Sequence, residues 1–199
     1  QDAVVNLMRV SLRDHQRFNE VQPRKGNQLG QFVPGTTYPC HPGGPNDYVF
    51  IFVQQQMWHG FLSVMDRFDL EEDPKFSTTE ARWENRDELN ALIETWTRQH
   101  NKHDIMRRLG EAGVPSGACQ DTGEVLKDSH LIAREMIVDV DYPPRGEPYK
   151  TVGCPVKLSD SPAEISRPPM LGEHTDELLA RLCGVDLDDL AKLHEDGVI

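Results

Sequence analysis

Long apolar stretches are absent from this sequence of 199 residues. The longest apolar run, at residues 48–53, has six residues, whereas a helix that crosses a membrane needs about 18 or more. Hydrophobic residues still make up 37% of the chain, and a chain of this length can bury a substantial core. We therefore expect a folded, soluble protein that makes no contact with a membrane.

Positive charge is also scarce. The sequence has 21 Lys and Arg residues against 33 Asp and Glu residues, which gives a net charge of -12 at pH 7. A surface that binds nucleic acid needs a basic patch to face the phosphates. The densest basic pairs, Arg24 with Lys25 and Arg107 with Arg108, are small and typical of solvated surface. The composition therefore argues against a nucleic-acid partner.

Cysteines are few and widely spaced, with four in the whole sequence. They are Cys40, Cys119, Cys154 and Cys183. No two of them form a Cys-x-x-Cys pair, so the sequence indicates neither a disulfide framework nor a thiol-based zinc or redox site. Because free cysteines are typical of a reducing compartment, we expect a cytoplasmic protein. The pair His100 and His103 falls short of the three or four converging ligands that zinc needs. The sequence thus predicts no metal site.

Familiar catalytic signatures are missing as well. The sequence has no Gly-x-Ser-x-Gly nucleophile turn, no phosphate-binding P-loop and no dinucleotide-binding Gly-x-Gly-x-x-Gly turn. Residues 26–31 contain glycines but lack the lysine and the preceding strand of a phosphate-binding loop. The acidic groups at residues 71–73 and 186–189 are typical of solvated helix ends. The residues by themselves predict no complete catalytic site.

Amphipathic patterning is present from the first residue. Residues 1–20 have helical spacing, with Val5, Met8 and Leu12 on one stripe. Because this pattern begins without an initiator Met or a signal peptide, we expect a piece of a longer polypeptide. Residues 21–47 are rich in Gly and Pro, which predicts a long irregular connection. A connection of that length is usually either functional or a linker.

A strand followed by helices is predicted for residues 46–115. The run at residues 48–53 is aromatic and β-branched, which is typical of a strand covered on both faces. Residues 54–68 then switch to helical spacing. Capping residues at Ser77, Asn85 and Asn101 predict the starts of three more helices. Together these patterns predict a small strand-plus-helices domain.

The last third of the chain mixes strand and helix patterns. Residues 136–142 show the period of two expected of a half-exposed strand, and residues 149–152 can pair with it as a hairpin. Thr175 is the predicted cap of a later helix that ends at Gly184. The overall prediction is an α/β protein.

Several segments, taken in order, resemble a known family. The segments are residues 1–7 with 12–17, 24–27, 38–40 with 46–49, 73–76, 113–115, 151–157 and 171–175. Each segment is weak alone, but their order matches the family and they extend over essentially all 199 residues. On these segments the sequence resembles the C-terminal half of the class III, formyl-CoA transferase-like CoA-transferases, the CaiB/BaiF family.

The resemblance implies an interlocked homodimer, in which a CoA-binding, Rossmann-like large domain and a small domain are joined by two linkers. On that plan residues 1–45 would be a large-domain helix and a linker, and residues 46–115 would be the small α/β domain. Residues 116–199 would be the return linker and the C-terminal part of the large domain. Most of the Rossmann-like part, in the N-terminal half of the enzyme, would then lie outside this chain.

The resemblance also implies a chemistry. Family members move CoA from an acyl-CoA to a carboxylic acid through an aspartyl-CoA intermediate, with formyl-CoA and oxalate as the first pair to test. No position here matches the nucleophilic Asp, so we assign no catalytic residue to this chain, and coenzyme A enters as part of a substrate. In formyl-CoA transferases a run of glycines in the linker closes over the active site. The corresponding lid candidates, which would bind substrate, are Gly26, Asn27, Gln28, Gly30 and Gln31.

Two alternatives remain open from the sequence. A non-catalytic module that binds a partner polypeptide or an acyl-CoA would also fit a chain without the nucleophile. The second is α-methylacyl-CoA racemase activity, which the same superfamily includes and which needs a Glu within a Tyr-Glu-Cys-type motif. Here Pro39 stands between Tyr38 and Cys40. Because proline cannot hold or move a proton, we disfavour the racemase.

Overall fold

A computed structural model describes residues 1–21 and 23–199 of the chain. These residues divide into two units, residues 1–121 and residues 122–199. The helices of the first unit are α1 (Asp2–Leu7), α2 (Arg9–Phe18), α3 (Trp58–Met65), α4 (Thr79–Glu84), α5 (Arg86–Thr97) and α6 (Lys102–Glu111). Its strands are β1 (Gly35–Pro39), β2 (Tyr48–Phe52) and β3 (Ser116–Ala118).

The first unit is built on an antiparallel sheet in the order β1-β2-β3. Thr37 of β1 pairs with Phe50 of β2, and Phe50 pairs with Gly117 of β3. Helix α5 contacts β1, and helix α6 contacts both β2 and β3. The arrangement of strands and helices confirms the prediction of an α/β fold.

The hydrophobic core of the first unit lies between this sheet and its helices. Val49 and Ile51 of β2 are fully buried in one cluster with Ile93 of α5 and Ile105 of α6. Tyr48 is exposed, and Phe50 and Phe52 are half-buried. The expectation that β2 is covered on both faces is therefore wrong. Its side chains alternate between core and surface, as in an antiparallel strand with one face packed on helices.

The segment predicted to be irregular contains strand β1. Its Gly and Pro content indicates a loop, but residues Gly35–Pro39 pair along the whole of β2. Val33, Tyr38 and Cys40 from this segment are buried in the same core as Val49. Pairing with a neighbouring strand thus overrides the local preference for a loop, which short-range sequence patterns do not report.

Helix starts agree with the sequence at some positions and differ at others. Asn101 caps α6 by accepting a hydrogen bond from the backbone N of His103 over 2.9 Å, as predicted. Thr78, and not Ser77, caps α4 by accepting from the backbone N of Ala81 over 3.1 Å. The side chain of Asn85 makes no capping bond to α5. The long helix predicted at the start of the chain is two helices, α1 and α2, which meet at Met8.

The second unit contains helices α7 (Thr122–Val125), α8 (Ser129–Ala133), α9 (Thr175–Cys183) and α10 (Leu187–Glu195) and strands β4 (Ile137–Val140) and β5 (Tyr149–Val152). Strands β4 and β5 form the predicted antiparallel hairpin, with Val138 paired to Thr151. Helix α9 ends at Gly184, whose φ of 70° is left-handed, as predicted. Thr175 is the first residue of α9, and His174 occupies the capping position, so the predicted cap is wrong by one residue.

Among residues 1–21 and 23–199, the helices are too short and too polar to include a membrane span.

Candidate functional site

The candidate lid residues lie in one segment of the chain, residues 24–34, which we call the glycine loop. Gly26 and Gly30 have φ angles of 59° and 58°. Residues other than glycine rarely adopt this left-handed region, because their Cβ meets the backbone. The backbone N of Leu29 donates to the carbonyl of Gly35 over 2.7 Å. These turns bend the loop back onto the start of β1.

Two of the five candidates bind the protein itself. Asn27 donates from Nδ2 to Oγ1 of Thr37 on β1 over 3.1 Å. Gln28 donates from Nε2 to the carbonyl of Phe32 over 2.6 Å. Gly26, Asn27, Gly30 and Gln31 are exposed, and Gln28 is half-buried. Hydrogen bonds of Asn27 and Gln28 within the protein therefore hold the glycine loop in place. The backbone of the loop and the Gln31 side chain are exposed, so a ligand could contact them.

The end of the glycine loop is packed into the core. The Phe32 ring meets the Phe52 ring edge-on, with 5.0 Å between centroids. Val33 and Pro34 are buried, and the carbonyl of Pro34 accepts a hydrogen bond from the backbone N of Val53 over 3.1 Å. Gln31, just before this anchor, borders a small open cleft together with Thr79, Glu80, Trp83 and Glu84.

Arg82 of α4 is a buried cation next to this anchor. Its side chain is fully buried, and Nε donates to the carbonyl of Val33 over 3.1 Å. Its guanidinium carbon lies 4.5 Å from the centre of the Trp58 ring. Burial lowers the pKa of Arg82 to about 10, so the side chain stays charged at neutral pH. Sequence patterns do not single out this residue, because a single arginine in a short amphipathic helix has the pattern of a solvated side chain.

The Tyr38-Pro39-Cys40 segment carries no group that is ready to ionise. Tyr38 is buried and donates from its hydroxyl to Oδ1 of Asn90 over 2.6 Å, and burial raises its pKa far above the usual range. Burial, with a smaller effect from Asp47, raises the pKa of the Cys40 thiol to about 11. Both side chains therefore keep their protons at neutral pH, and Pro39 between them has none to exchange.

A second buried cation, Lys102, supports the sheet at its other end. Its side chain is buried, and Nζ donates to the carbonyl of Asn46 over 3.1 Å and to the carbonyl of Cys119 over 2.9 Å. These carbonyls belong to the segments just before β2 and just after β3. Because an ammonium group that leaves water must be hydrogen-bonded, the contacts indicate a structural role.

The second unit holds a cavity of its own, of about 390 Å³. It is lined by Glu135, Val138, Cys154, Val156, Lys157, Leu158, Pro162, Ala163 and Ile165. Lys157 and Glu135 form an ion pair across 3.1 Å, and the Cys154 thiol contacts the carbonyl of Val156 over 3.4 Å. Most of the lining side chains are apolar, and the two charged side chains of the lining, Glu135 and Lys157, are paired with each other.

Metal ligands do not converge in the part of the chain that the structure describes, where no cluster of three or more His, Cys, Asp or Glu side chains could hold an ion. His100 is half-buried and contacts the Trp96 ring at 5.3 Å between centroids. His103 is exposed and lies in the first turn of α6. The two histidines therefore do not build a site with other ligands.

Apolar side chains are exposed along the helices at both ends of the chain. Leu7 is 83% exposed, and Val4 and Phe18 are 62% and 57% exposed. In the second unit, Leu182 of α9 and Leu187 of α10 are 71% and 82% exposed. Apolar side chains with exposure this high are available for contact with another polypeptide.

Comparisons with known proteins agree on one family. The model of CoA-transferase family III matches residues 1–175. A formyl-CoA:oxalate CoA-transferase of Streptomyces coelicolor is 40% identical over 212 aligned positions, which include 100% of this chain and 52% of that protein. A protein of the same description from Bradyrhizobium sp. is 35% identical and is covered to 51%. The chain therefore spans about half the length of the curated relatives it matches.

Solved structures show the same likeness in three dimensions. A CaiB/BaiF family protein from Brucella suis superposes with a TM-score of 0.74 and 25% identity, over 89% of this chain and 45% of that one. The Mycobacterium tuberculosis protein Rv3272 superposes with a TM-score of 0.63 and 18% identity, over 88% of this chain and 44% of that one. The second likeness concerns the fold alone.

Proposed function

Because this chain belongs to CoA-transferase family III, we propose that it is the C-terminal portion of an enzyme that moves CoA from an acyl-CoA to a carboxylic acid. The observation that carries the proposal is the match over 100% of the chain to a formyl-CoA:oxalate CoA-transferase, at 40% identity. Formyl-CoA is the proposed donor and oxalate the proposed acceptor. CoA is a substrate group in this reaction and not a resident cofactor.

The proposed reaction proceeds through an aspartate that lies outside this chain, in the N-terminal half. Its carboxylate attacks the carbonyl of formyl-CoA. The C–S bond breaks, CoA departs as the thiolate, and a mixed anhydride is formed. The thiolate then attacks the aspartyl carbonyl and expels formate, which gives an aspartyl-CoA thioester. A carboxylate oxygen of oxalate attacks the aspartyl carbonyl of this thioester, which releases the thiolate again and forms an aspartyl–oxalyl mixed anhydride. The thiolate finally attacks the oxalyl carbonyl of this anhydride, which forms oxalyl-CoA and frees the aspartate.

The glycine loop is the part of this chain that we assign to the reaction. A mixed anhydride hydrolyses if water reaches it, so the enzyme needs a cover over the acyl group. The loop is supported at its base and exposed at Gly26, Gly30 and Gln31. Exposed glycines allow the backbone to approach a ligand closely, because no side chain intervenes. We therefore propose that Gly26, Asn27, Gln28, Gly30 and Gln31 form the lid.

The architecture of the complete enzyme is part of the same proposal. Residues 46–115 would be the small domain, residues 1–45 an outgoing helix and linker, and residues 116–199 the return to the large domain. The exposed apolar side chains of Leu7, Phe18, Leu182 and Leu187 would pack against the N-terminal half. Burial of these side chains would supply much of the free energy of that association. An interlocked homodimer in the cytoplasm completes the proposal.

Reconstitution tests the function directly. The chain is produced alone, and also together with the N-terminal half of the Streptomyces coelicolor relative or of its own longer polypeptide. Oxalyl-CoA formed from formyl-CoA and oxalate is measured in each sample. We expect transfer only when both halves are present, with acetate and succinate as alternative acceptors for comparison.

A stable complex of the two halves that transfers CoA to none of these acids would contradict the proposal. If that complex bound acyl-CoA without turnover, the function would be that of a binding module instead. Transfer by the chain alone would also contradict it, because the nucleophile would then lie within these 199 residues.

A further inference from the structure

We propose that Arg82 is a positioning residue that fixes the end of the glycine loop and so holds the lid in place. The inference rests on the proposed function for the role of the lid. The contacts by which Arg82 holds the end of the glycine loop, which we call the clamp, do not depend on that function. The inference is carried by the contacts of the guanidinium group, which joins the loop to three other points of the first unit.

The hydrogen bonds of Arg82 with described residues all go to neutral oxygens. Besides Val33, its Nη1 donates to the carbonyl of Phe76 over 2.8 Å. Its Nη2 donates to Oε1 of Gln55 over 2.8 Å and to Oγ1 of Thr79 over 3.3 Å. A buried charge without a bonded carboxylate is expensive to keep. In this structure the donors of Arg82 hold several segments of the first unit in one geometry.

The geometry of the guanidinium suits this task. Its donors diverge in a fixed plane, so one side chain can bind acceptors on several sides at once. The stack on Trp58 holds the plane in position. A lysine at the same position would keep the charge, but its single ammonium group cannot reach acceptors arranged around a plane.

Val33 is the point at which this clamp meets the glycine loop. Phe32, its neighbour, accepts the side-chain bond of Gln28 and donates from its backbone N to the carbonyl of Leu29 over 3.4 Å. Leu29 in turn binds the carbonyl of Gly35. Three hydrogen bonds of the loop thus involve Phe32 or Gly35, the residues on either side of Val33 and Pro34. Movement of the Val33 carbonyl would be transmitted through these bonds to Gly30 and Gln31.

Limited trypsin digestion of the natural full-length protein tests the clamp without any acyl-CoA. Arg24 and Lys25 are exposed at the start of the glycine loop, so cleavage after them reports how often the loop opens. The variants are Arg82→Lys and Arg82→Met. The matched control is Leu109→Ala, which removes a buried side chain of α6. Peptides that begin at Lys25 or Gly26 are quantified by mass spectrometry.

We expect both Arg82 variants to be cleaved at these two bonds about tenfold faster or more, since a bond to a charged donor is worth about that factor. The comparison is made where Leu109→Ala and the Arg82 variants have lost the same global stability, as measured in urea. Leu109→Ala should then change the rate of cleavage at these bonds by less than about twofold. Arg82→Lys keeps the charge and the apolar stem, so it serves if Arg82→Met fails to fold.

Equal acceleration in Leu109→Ala and in the Arg82 variants would overturn the clamp, because Arg82 would then act only through global stability. Unchanged cleavage in Arg82→Lys would overturn it as well. Both results are independent of CoA transfer by the wild-type protein, which tests the proposed function separately. In the complete enzyme, the same variants should lower kcat/KM, while Leu109→Ala at a permissive temperature should not.

Discussion

Asn27 donates a hydrogen bond from Nδ2 to Oγ1 of Thr37 over 3.1 Å, joining the first half of the glycine loop to strand β1. The two residues are ten positions apart, and the bond closes the loop against the strand that the loop leads into. One end of the loop is thus tied to β1 through Asn27, while the other is tied to the core through Val33. The orientation of the exposed glycines follows from these two ties.

The bond between Asn27 and Thr37 should be measurable as a coupling energy. We expect Asn27→Ala and Thr37→Val each to destabilise the loop, and the double variant to cost less than the sum of the two. The difference should be about 0.5–1 kcal/mol, because the bond is neutral and solvent-accessible. Hydrogen exchange of the loop amides in the four proteins measures it. Fully additive effects would show that the bond does not form in solution.

Gly35 should not tolerate a side chain. A Cβ at this position would lie 2.5 Å from the carbonyl oxygen of Phe32 and 3.2 Å from Nε2 of Gln28. Gly35→Ala should therefore displace the loop end and cost about 1–3 kcal/mol of stability. The control is Gly117→Ala in β3, where a Cβ meets nothing within 4 Å. Urea unfolding of the two variants compares them, and equal midpoints would contradict the close approach.

Removal of the buried ammonium group of Lys102 should destabilise the first unit. In Lys102→Met the carbonyls of Asn46 and Cys119 lose a charged donor while the apolar stem is retained. We expect a loss of about 2–4 kcal/mol in thermal or urea unfolding. Lys75→Met is the control, because Lys75 forms an exposed ion pair with Glu88, and exposed ion pairs contribute little to stability. Similar losses in both variants would mean that Lys102 is solvated.

The ion pair of Arg167 with Glu173 predicts a pH dependence in the second unit. The bonds from Arg167, and then from the backbone N of Met170, lower the pKa of Glu173 from its ordinary value of 4.5 to about 2. A carboxyl group with a lowered pKa in the folded state adds stability above its ordinary pKa. This contribution should therefore fade as the pH falls from about 5 towards 2.

Glu173→Gln removes this contribution, and Glu164→Gln is an exposed control with the same charge change. Unfolding of both variants and of the parent protein is followed from pH 6 to pH 2. We expect the parent and Glu164→Gln to lose stability more steeply than Glu173→Gln between pH 5 and pH 2. Parallel curves for all three proteins would show that the pair with Arg167 does not persist in solution.

Local patterns predicted those parts of the fold that depend on neighbours in the sequence. The cap at Asn101 depends on an acceptor two residues before its donor, and the end of α9 depends on one left-handed glycine, Gly184. Strand β1 depends on pairing with β2, so its Gly and Pro content predicted a loop. Arg82 depends on acceptors up to 49 residues away, and no periodicity reports them.

The candidate site shows the same division. The five lid residues came from a resemblance to a family and not from the spacing of the residues. The structure adds what sequence could not supply, namely that Asn27 and Gln28 brace the loop while Gly30 and Gln31 remain exposed. The proposed reaction assigns its aspartate to the N-terminal half, so on that proposal these residues would hold only part of the site.

Hydrogen exchange of the glycine loop, with and without a CoA thioester, tests most directly whether this chain supplies the lid. The complete protein is saturated with acetyl-CoA or formyl-CoA, and amide exchange is followed for residues 24–34 and for α6 as a reference. The lid predicts that bound thioester slows exchange in the loop by about tenfold or more, with little change in α6. Unchanged exchange in residues 24–34 at saturating thioester would contradict it.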